Sequence, residues 1–282
     1  MAVRTFSERQ STAVNGIVLM ISKLGVLTLS FLAELSSLVW MGRETVAELT
    51  ERLRDRRTPF RLEHFFIQTN RVGAGSVPMV VLLSVFIGLT LALLTGYQLQ
   101  RFGVVTLVPS VVAISFSREM GPIFTGIVLA ARIGSAYTAE LGAMTAGGEV
   151  DALEGMGLGA LRYLVTPRFL AIFFMTPCLS IVSTVSGIFG GALISQLMLQ
   201  LSYDYFYNQV FINLLVKDVV SGIVKSFLFG GIIGWIACYK GLAVRGGAEG
   251  VGIATTSSVV LSVGTVIACD SLCNIFIVTF FP

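Results

Sequence analysis

The sequence predicts an all-α integral membrane protein with an N-terminal interfacial helix, five transmembrane helices and a short helix in a loop between them. Apolar residues make up 55% of the 282 residues and charged residues only 12%, whereas a soluble domain carries about 25% charge. The mean hydropathy is +0.86. The apolar segments are expected to be helices, because inside a bilayer every backbone polar group must be satisfied within its own segment or in a closed barrel.

The first 66 residues are predicted to form a separate cytoplasmic or interfacial helical segment. Residues 14–40 are moderately apolar, with polar residues recurring at helical spacing, which predicts a helix lying in the membrane interface. A helix that crosses the bilayer is the alternative. The arginines that follow are better explained by the positive-inside rule than by nucleic-acid binding, so this part is expected in the cytoplasm. They are Arg52, Arg54, Arg56, Arg57 and Arg61.

Residues 67–282 are predicted to form one five-span domain. The expected crossings are residues 77–97, 104–139, 169–202, 219–239 and 253–281, each long enough for a hydrocarbon core of about 30 Å. With the arginine-rich N-terminal part in the cytoplasm, an odd number of crossings puts the C-terminus outside. The third crossing has no charge and would measure roughly 50 Å as a helix, so it is expected to tilt, kink at Pro177 or project. Residues 203–218, which are rich in tyrosine, are expected in the outer interface.

The longest interruption of the apolar sequence is an acidic stretch between the second and third crossings. Residues 149–161 have apolar residues at helical spacing and acids between them, which predicts a short helix within about 147–162. Arg162 and Arg168 follow it, so the positive-inside rule places it in the cytoplasm. A soluble partner would be able to bind it there.

Four ionisable residues fall inside predicted crossings, between the middle of the bilayer and its outer surface: Arg118, Glu119, Lys225 and Asp270. Each costs about 2.5–3.5 kcal/mol at a helix centre, so they are expected to face the interior and pair. Two positive and two negative charges would make one neutral network. Two interpretations stay open, a structural network and a water-accessible cavity for a charged headgroup.

Several kinds of chemistry are not indicated by the sequence. It has no P-loop motif GxxxxGK[ST], so the chain is not expected to bind ATP by that means. It also lacks HExxH and GxSxG, and the four cysteines lie in apolar segments and are interpreted as small buried hydrophobic residues. We therefore expect no cofactor, no metal and no enzyme activity in this chain. The glycine-rich residues 246–252 are interpreted as a flexible cytoplasmic turn.

Three blocks of sequence resemble the MlaE/YrbE permease family of lipid ABC transporters. The first block is Arg118-Glu-Met-Gly-Pro122, followed by Ala130-Ala-Arg-Ile-Gly134 and Ala139-Glu-Leu-Gly142. The second is Glu149-Val-Asp-Ala-Leu153 with Met156-Gly157, Arg162-Tyr-Leu164 and Pro167-Arg168. The third is Gly250-Val-Gly-Ile-Ala-Thr-Thr256 leading into Val259-Val260. Together they extend the resemblance from about residue 68 to the C-terminus.

The resemblance implies a homodimeric permease in the bacterial inner membrane. Two cytoplasmic ATPase subunits would bind ATP and drive it, and phospholipid or a related lipid would pass to or from a periplasmic MCE-domain protein, a function connected with outer-membrane lipid asymmetry. The acidic helix would be the coupling helix that contacts the ATPase, through Glu149, Asp151, Ala152, Leu153, Met156 and Gly157. The four buried charges, Arg118, Glu119, Lys225 and Asp270, would lie at the lipid cavity.

Two departures from the family pattern concern the ends of the coupling helix. Gly147-Gly148 and Gly159-Ala160 stand where the family has helix-delimiting residues, which predicts looser helix ends and a divergent ATPase. Two alternative functions are a standalone channel or secondary carrier that uses the buried charges as an ion relay, and an intramembrane enzyme. The motifs Gly187-xxx-Gly191 and Gly230-xxx-Gly234 would allow close helix packing, within one chain or between two copies.

Overall fold

A computed structural model describes residues 62–157, 159 and 161–280 of the chain. Residues 1–61, with the predicted interfacial helix, lie outside the described residues. Within the described part every regular element is a helix, and no strand occurs, so the predicted all-α class is confirmed. Five helices of the described residues are long and apolar enough to cross a membrane, which agrees with the five crossings predicted for this part of the chain. The protein is therefore a multi-pass membrane protein.

The first half of the described chain forms two crossings and the acidic helix. Helix α1 spans Leu62–Arg101. The second crossing starts with a 3₁₀ turn at Val105–Leu107 and continues through α2 (Val108–Ser115), α3 (Gly121–Leu129) and α4 (Ser135–Ala146). Helix α5, the acidic helix, spans Glu149–Gly155. We call the end of the bundle that carries α5 the acidic end.

The second half forms three more crossings. A π-helical turn at Leu161–Val165 leads into α6, which spans Thr166–Leu199 without interruption although Pro177 lies inside it. Helix α7 (Tyr203–Asn213) precedes α8 (Val216–Leu242), and α9 spans Gly247–Phe280. Helix α7 begins with three tyrosines and a phenylalanine within five residues, and we call its end of the bundle the aromatic end.

Two π-helical turns divide the second crossing, one at Phe116–Met120 between α2 and α3 and one at Ala130–Gly134 between α3 and α4. Each turn widens the helix locally and changes the direction in which the following side chains point. Turns of this kind are frequent at functional sites. The first contains Arg118 and Glu119 and the second contains Arg132, so charged residues of this crossing lie in both π turns.

Helix α1 (Leu62–Arg101) contains the predicted crossing at residues 77–97 and extends beyond it at both ends. Two other predicted boundaries are wrong. The predicted flexible turn at 246–252 is helical from Gly247 onward, because only Gly246 and Gly247 take the positive φ of a turn, at 93° and 68°. The acidic helix stops at Gly155 rather than at Leu161, since Gly157 has a φ of 76°, a left-handed conformation that ends helices.

Glycines bring α1, α6 and α8 into close contact. A Cβ on Gly88 of α1 would lie 2.0 Å from the Gly187 carbonyl oxygen of α6, and one on Gly234 of α8 would lie 2.4 Å from Ile172 Cγ2 of α6. Backbones can approach this closely only where side chains are absent. Both GxxxG motifs therefore contribute a glycine to packing within this one chain.

The second crossing lies at the centre of the bundle and α9 lies at its edge. Half of the residues in the most apolar stretch of the second crossing are buried, 50%, against 17% for α9. The central apolar cluster draws on α1, α3, α4, α6, α8 and α9. It includes Leu129, Ile133, Tyr137, Ile172, Phe229 and Ile233.

Candidate functional site

Lys225 on α8 is the centre of a buried polar cluster between three crossings. Its side chain is only 1% exposed. The Nζ atom donates to Glu119 Oε2 at 2.8 Å, to Asp270 Oδ1 at 3.0 Å and to Asn274 Oδ1. An ammonium group has three N–H donors, so all of them are used inside the protein. We call Lys225, Glu119, Asp270 and Asn274 the lysine cluster.

Asn274 connects the two carboxylates of the lysine cluster. Its Nδ2 atom donates to Glu119 Oε2 and to Asp270 Oδ2, both at 3.1 Å. Each carboxylate therefore receives an amide hydrogen bond in addition to the ammonium. Asn274 is not among the residues predicted from the sequence, but its spacing from Asp270 is a usable signal, because residues four apart lie on one face of a helix.

Arg118 belongs to a second, separate ion pair. Its Nε atom lies 3.7 Å from Asp218 Oδ1, and its side chain is 33% exposed. Asp218 is buried and also accepts a hydrogen bond from the Leu215 amide at 3.2 Å, so it caps the start of α8. Asp218 is not among the predicted buried charges either, because the sequence pattern places residues 203–218 in the interface.

The expected single network of four charges is thus two ionic groups. One has an ammonium and two carboxylates, and the other has a guanidinium and one carboxylate. The physical reason is that Arg118 and Glu119 are consecutive residues of one helical segment. Consecutive side chains on a helix point about 100° apart, so Arg118 and Glu119 turn to different partners although they lie at the same depth.

Helix α5 packs against the bundle through Val150 and, partly, Leu153, and it exposes its acidic side. Val150 is 8% exposed and packs with Leu141 and Leu164. Of the residues predicted to contact an ATPase, Leu153 is half-buried and the others are exposed; these are Glu149, Asp151, Ala152, Met156 and Gly157. Glycines with positive φ flank the helix on both sides, Gly148 at 74° and Gly157 at 76°, and the looseness of its ends stays a prediction.

The crossing that leads into α5 is tied to its neighbours by Glu140. Its carboxylate pairs with Arg71 of α1 and, at 3.3 Å, with Arg168 of α6. The Arg168 guanidinium also lies over the Tyr137 ring, 5.8 Å from its centroid. From the sequence, Glu140 is only one of several acids near the acidic helix. In the structure it joins α1, α4 and α6 at the acidic end.

The described residues contain no group of three His, Cys, Asp or Glu side chains that could hold a metal ion. The four cysteines are free thiols, and Cys238 is buried as expected. Cys178 is exposed, so the prediction of burial is wrong for that residue. It lies on α6, one of the crossings.

Comparison with known proteins identifies the family. The sequence profile of the MlaE permease family matches residues 65–276. This range contains the lysine cluster, the Arg118–Asp218 pair and α5. The chain belongs to the MlaE permease family. The resemblance deduced from the three sequence blocks is thereby confirmed.

Individual relatives agree with the MlaE assignment. A probable ABC transporter permease protein of Rickettsia typhi is 36% identical over 206 residues, which cover 73% of this chain and 80% of the relative. One from Synechocystis is 35% identical over 214 residues, covering 76% and 78%. The chloroplastic protein trigalactosyldiacylglycerol 1 of Arabidopsis thaliana is 35% identical over 209 residues, covering 74% and 60%.

As an MlaE-family member, this chain is a permease subunit rather than a complete transporter. The permease names of its relatives imply a separate ATPase partner, which agrees with the absence of a P-loop from the sequence. Helix α5 is the exposed acidic element between two crossings of this permease.

Proposed function

We propose that this permease moves phospholipid or a related lipid between the bacterial inner membrane and a periplasmic MCE-domain protein. A cytoplasmic ATPase dimer binds and hydrolyses ATP for it, and the chain itself holds no cofactor. The name of the Arabidopsis relative, which refers to a glycerolipid, supports a lipid substrate. The apolar crossings provide walls that acyl chains can contact. Nucleic acid has no part in this function.

This proposal depends on helix α5, which would act as the coupling helix. It is short, fastened through Val150, and exposes Asp151, Ala152 and Met156, so a groove of the ATPase can enclose it. Glu140 connects the crossing before α5 with α1 and α6. A force on α5 would therefore reach three crossings at once.

The two ionic groups have different roles in the proposed mechanism. Every donor of Lys225 is engaged within the chain, which supports a structural role for the lysine cluster. Arg118 is one-third exposed and its pair with Asp218 is long, at 3.7 Å. We infer that Arg118 is the residue that contacts an anionic headgroup, while Glu119, Lys225 and Asp270 hold the wall of the cavity together.

Two copies of the chain are proposed to enclose the lipid cavity. The most apolar stretches of α9 and α1 are 17% and 22% buried within one copy, which leaves faces that a second copy can cover. The acidic end lies in the cytoplasm and the aromatic end in the periplasm. This orientation puts the N-terminus inside, the C-terminus outside, and both ionic groups nearer the periplasm.

The proposal is tested by reversing one charge on α5. Asp151→Lys is expected to abolish co-purification of the ATPase, because Asp151 is exposed on the proposed contact surface, while membrane insertion stays normal. Glu249→Lys is the matched control, since Glu249 is also an exposed acid at the acidic end. The control is expected to retain the ATPase.

The same experiment separates the proposed function from the alternative of a standalone carrier. If the Asp151→Lys variant co-purified with the ATPase as well as the unaltered chain does, the coupling role of α5 would be contradicted. A purified chain that transported ions in vesicles without any ATPase would favour the carrier.

A further inference from the structure

Arg132, in the second π turn, has no carboxylate partner within the part of the chain that the structure describes. Three other arginines of the helices around it do have one, since Arg71, Arg168 and Arg118 each pair with an acid. None of the ion pairs among the described residues includes Arg132. A guanidinium on a membrane crossing is expected to meet a counter-charge.

A single hydrogen bond holds the Arg132 guanidinium against α1. The Nη1 atom donates to Ser76 Oγ at 2.6 Å, and Ser76 is fully buried. A Cβ on Gly75 would lie only 2.8 Å from the Nη2 atom, so the guanidinium lies against the backbone of α1 where a glycine leaves room for it. Its place is therefore fixed by α1 and not by an acid.

The remaining donors of Arg132 are open to a ligand. A guanidinium has five N–H donors, and among the described residues only Ser76 accepts from this one. Arg132 is partly exposed, and its Nε and Nη2 atoms are not enclosed by protein, in contrast to the Nε and Nη1 atoms of Arg168. Gly75 and Ala131 beside it are exposed as well.

The guanidinium lies at the depth where hydrocarbon meets lipid headgroups. Helix α1 carries no charge between Arg71 and Arg101, a distance of about 45 Å at 1.5 Å per residue. With a hydrocarbon core of about 30 Å centred on this stretch, each edge of the core lies about 7 Å inward from these two arginines. Ser76 lies about 7–8 Å along α1 from Arg71, so Arg132 reaches the edge on the acidic end.

Positive charge is in excess around this edge. Within about two helical turns of one another lie Arg71, Arg132 and Arg168, and the acid that they share this region with is Glu140. Three guanidinium groups against one carboxylate leave two positive charges unmatched. The next acid on α1, Glu63, lies two turns before Arg71. Basic pockets between transmembrane helices on the cytoplasmic side bind anionic lipid headgroups.

The geometry of the open donors fits a phosphate group. The Nε and Nη2 atoms lie on one edge of the guanidinium plane, and such an edge can bind two oxygens of one phosphate in parallel. A phospholipid carries its phosphate at this depth of any bilayer, whereas a soluble anion would have to enter from the water. The depth therefore favours a lipid as the source of the phosphate.

We propose that Arg132 binds the phosphate of an anionic phospholipid in the cytoplasmic leaflet, through the Nε and Nη2 donors that Ser76 leaves open. This site goes beyond the proposed function, because it does not require the bound lipid to be transported. Only the choice of leaflet rests on the proposed orientation. Arg118, the proposed headgroup contact for transport, lies roughly 20 Å away along the same crossing.

The test measures lipid binding to the full-length protein in detergent by native mass spectrometry. The probes are dioleoyl phosphatidylglycerol, dioleoylglycerol, which has the same acyl chains but no phosphate, and glycerol 3-phosphate, which has a phosphate but no acyl chain. The first phosphatidylglycerol is expected to bind about tenfold more tightly than dioleoylglycerol, the factor that about 1.4 kcal/mol produces. An equal concentration of glycerol 3-phosphate should not displace it.

Four variants assign the binding to Arg132. Arg132→Gln should weaken the first phosphatidylglycerol about tenfold, and Arg132→Lys, which keeps the charge but not the planar edge, should weaken it less. Gly75→Ala should also weaken it several-fold, because the added Cβ displaces Nη2. Arg101→Gln is the matched control: Arg101 also donates to a hydroxyl on α1, that of Tyr97 at 2.6 Å, but it lies at the aromatic end. It should bind phosphatidylglycerol as the unaltered chain does.

Thermal unfolding of the same samples separates lost binding from lost folding. Phosphatidylglycerol should raise the melting temperature of the unaltered chain and of Arg101→Gln, because a ligand that binds only the folded state stabilises it. It should raise that of Arg132→Gln much less. If Arg132→Gln shows no cooperative melting, the comparison of Gly75→Ala with the unaltered chain decides.

Four results would overturn the inference. Arg132→Gln could bind phosphatidylglycerol as tightly as the unaltered chain, which is also the result expected if an acid of residues 1–61 occupied Arg132. Dioleoylglycerol could bind equally well, or glycerol 3-phosphate could displace the lipid, which would indicate a site for soluble anions. A disulfide between two copies that carry Arg132→Cys and lack the native cysteines would show that a second copy covers the site. No ATPase or transport step is measured, so failure of the proposed function would leave these results unchanged.

Discussion

A lysine in the middle of a membrane helix is stable only when its charge is matched, and Lys225 has two carboxylates and an amide around its ammonium. The side chain is 1% exposed, so water cannot replace a lost partner. Removing one member of a buried ion pair typically costs about 3–5 kcal/mol, because the remaining charge stays buried. The lysine cluster is therefore expected to hold α8, α9 and the first π turn together.

Replacing Lys225 tests this structural role. Lys225→Met is expected to lower the free energy of unfolding in detergent by about 3–5 kcal/mol, because Glu119 and Asp270 would remain without a cation. Val224→Met is the control, since Val224 is the neighbouring residue and is 55% exposed. Equal stability of the two variants would contradict the structural role.

Arg118 is expected to respond differently, because its side chain is 33% exposed and its pair with Asp218 is 3.7 Å long. The Asp218 side chain is only 4% exposed, so Arg118→Gln would leave a buried carboxylate without its cation. Arg118→Gln should therefore lower the free energy of unfolding, by less than Lys225→Met because one partner of the pair is at the surface, and it should transfer lipid about tenfold more slowly, since a hydrogen bond to a charged group contributes about 1.5–3 kcal/mol. Parallel unfolding and lipid-transfer measurements check this, and a loss of stability without a loss of transfer would refute the headgroup assignment.

At the scale of single elements, the ends of α5 depend on glycine. Gly155 and Gly157 both have open space where a Cβ would lie, but only Gly157 has a positive φ, 76°. A left-handed conformation costs a residue with a side chain about 1–2 kcal/mol. The two glycines therefore form a matched pair, in which only the backbone conformation differs.

Gly157→Ala is expected to loosen the end of α5 and to weaken ATPase binding, because the helix would lose its defined stop. Hydrogen exchange of the α5 amides should become about tenfold faster, as a change of about 1.4 kcal/mol implies. Gly155→Ala should slow exchange instead, since alanine favours a helix over glycine by about 1 kcal/mol. Equal exchange in both variants would show that φ does not control the end of α5.

Helices α1 and α6 pack as closely as their glycines allow. A Cβ on Gly88 would lie 2.0 Å from a carbonyl oxygen of α6, whereas Gly264 on α9 has open space around it. Gly88→Ala is expected to lower the free energy of unfolding by about 1–3 kcal/mol, the usual range for overpacking. Gly264→Ala should leave it unchanged or slightly raised. Thermal unfolding in detergent checks this prediction. Equal melting temperatures of the two variants would contradict the close contact.

At the scale of the whole molecule, five crossings put the acidic end and the aromatic end on opposite sides of the membrane. The proposed orientation is checked by cysteine labelling in a variant without the four native cysteines. Glu249→Cys at the start of α9 should react with an impermeant maleimide only in inverted vesicles, and Asn208→Cys on α7 only in intact spheroplasts, since both residues are exposed. The reverse pattern would invert the orientation, and with it the positions of ATPase and MCE-domain partners.

The sequence by itself determined the class of protein, the number of crossings and the place of the acidic helix. These follow from composition, from the length of apolar runs and from local periodicity, which need no knowledge of neighbouring helices. It also singled out Glu119, Lys225 and Asp270, because a charge within an apolar run has to find a partner.

Only the tertiary structure decided which partners meet. The pairing of Lys225 with Asn274 and of Arg118 with Asp218 depends on how each helix is rotated about its axis. The first π turn changes that rotation locally, and no hydrophobic pattern in the sequence indicates it. The hydrogen bond between Arg132 and Ser76 likewise exists only where two crossings meet, because a contact between helices is a property of packing rather than of any one segment.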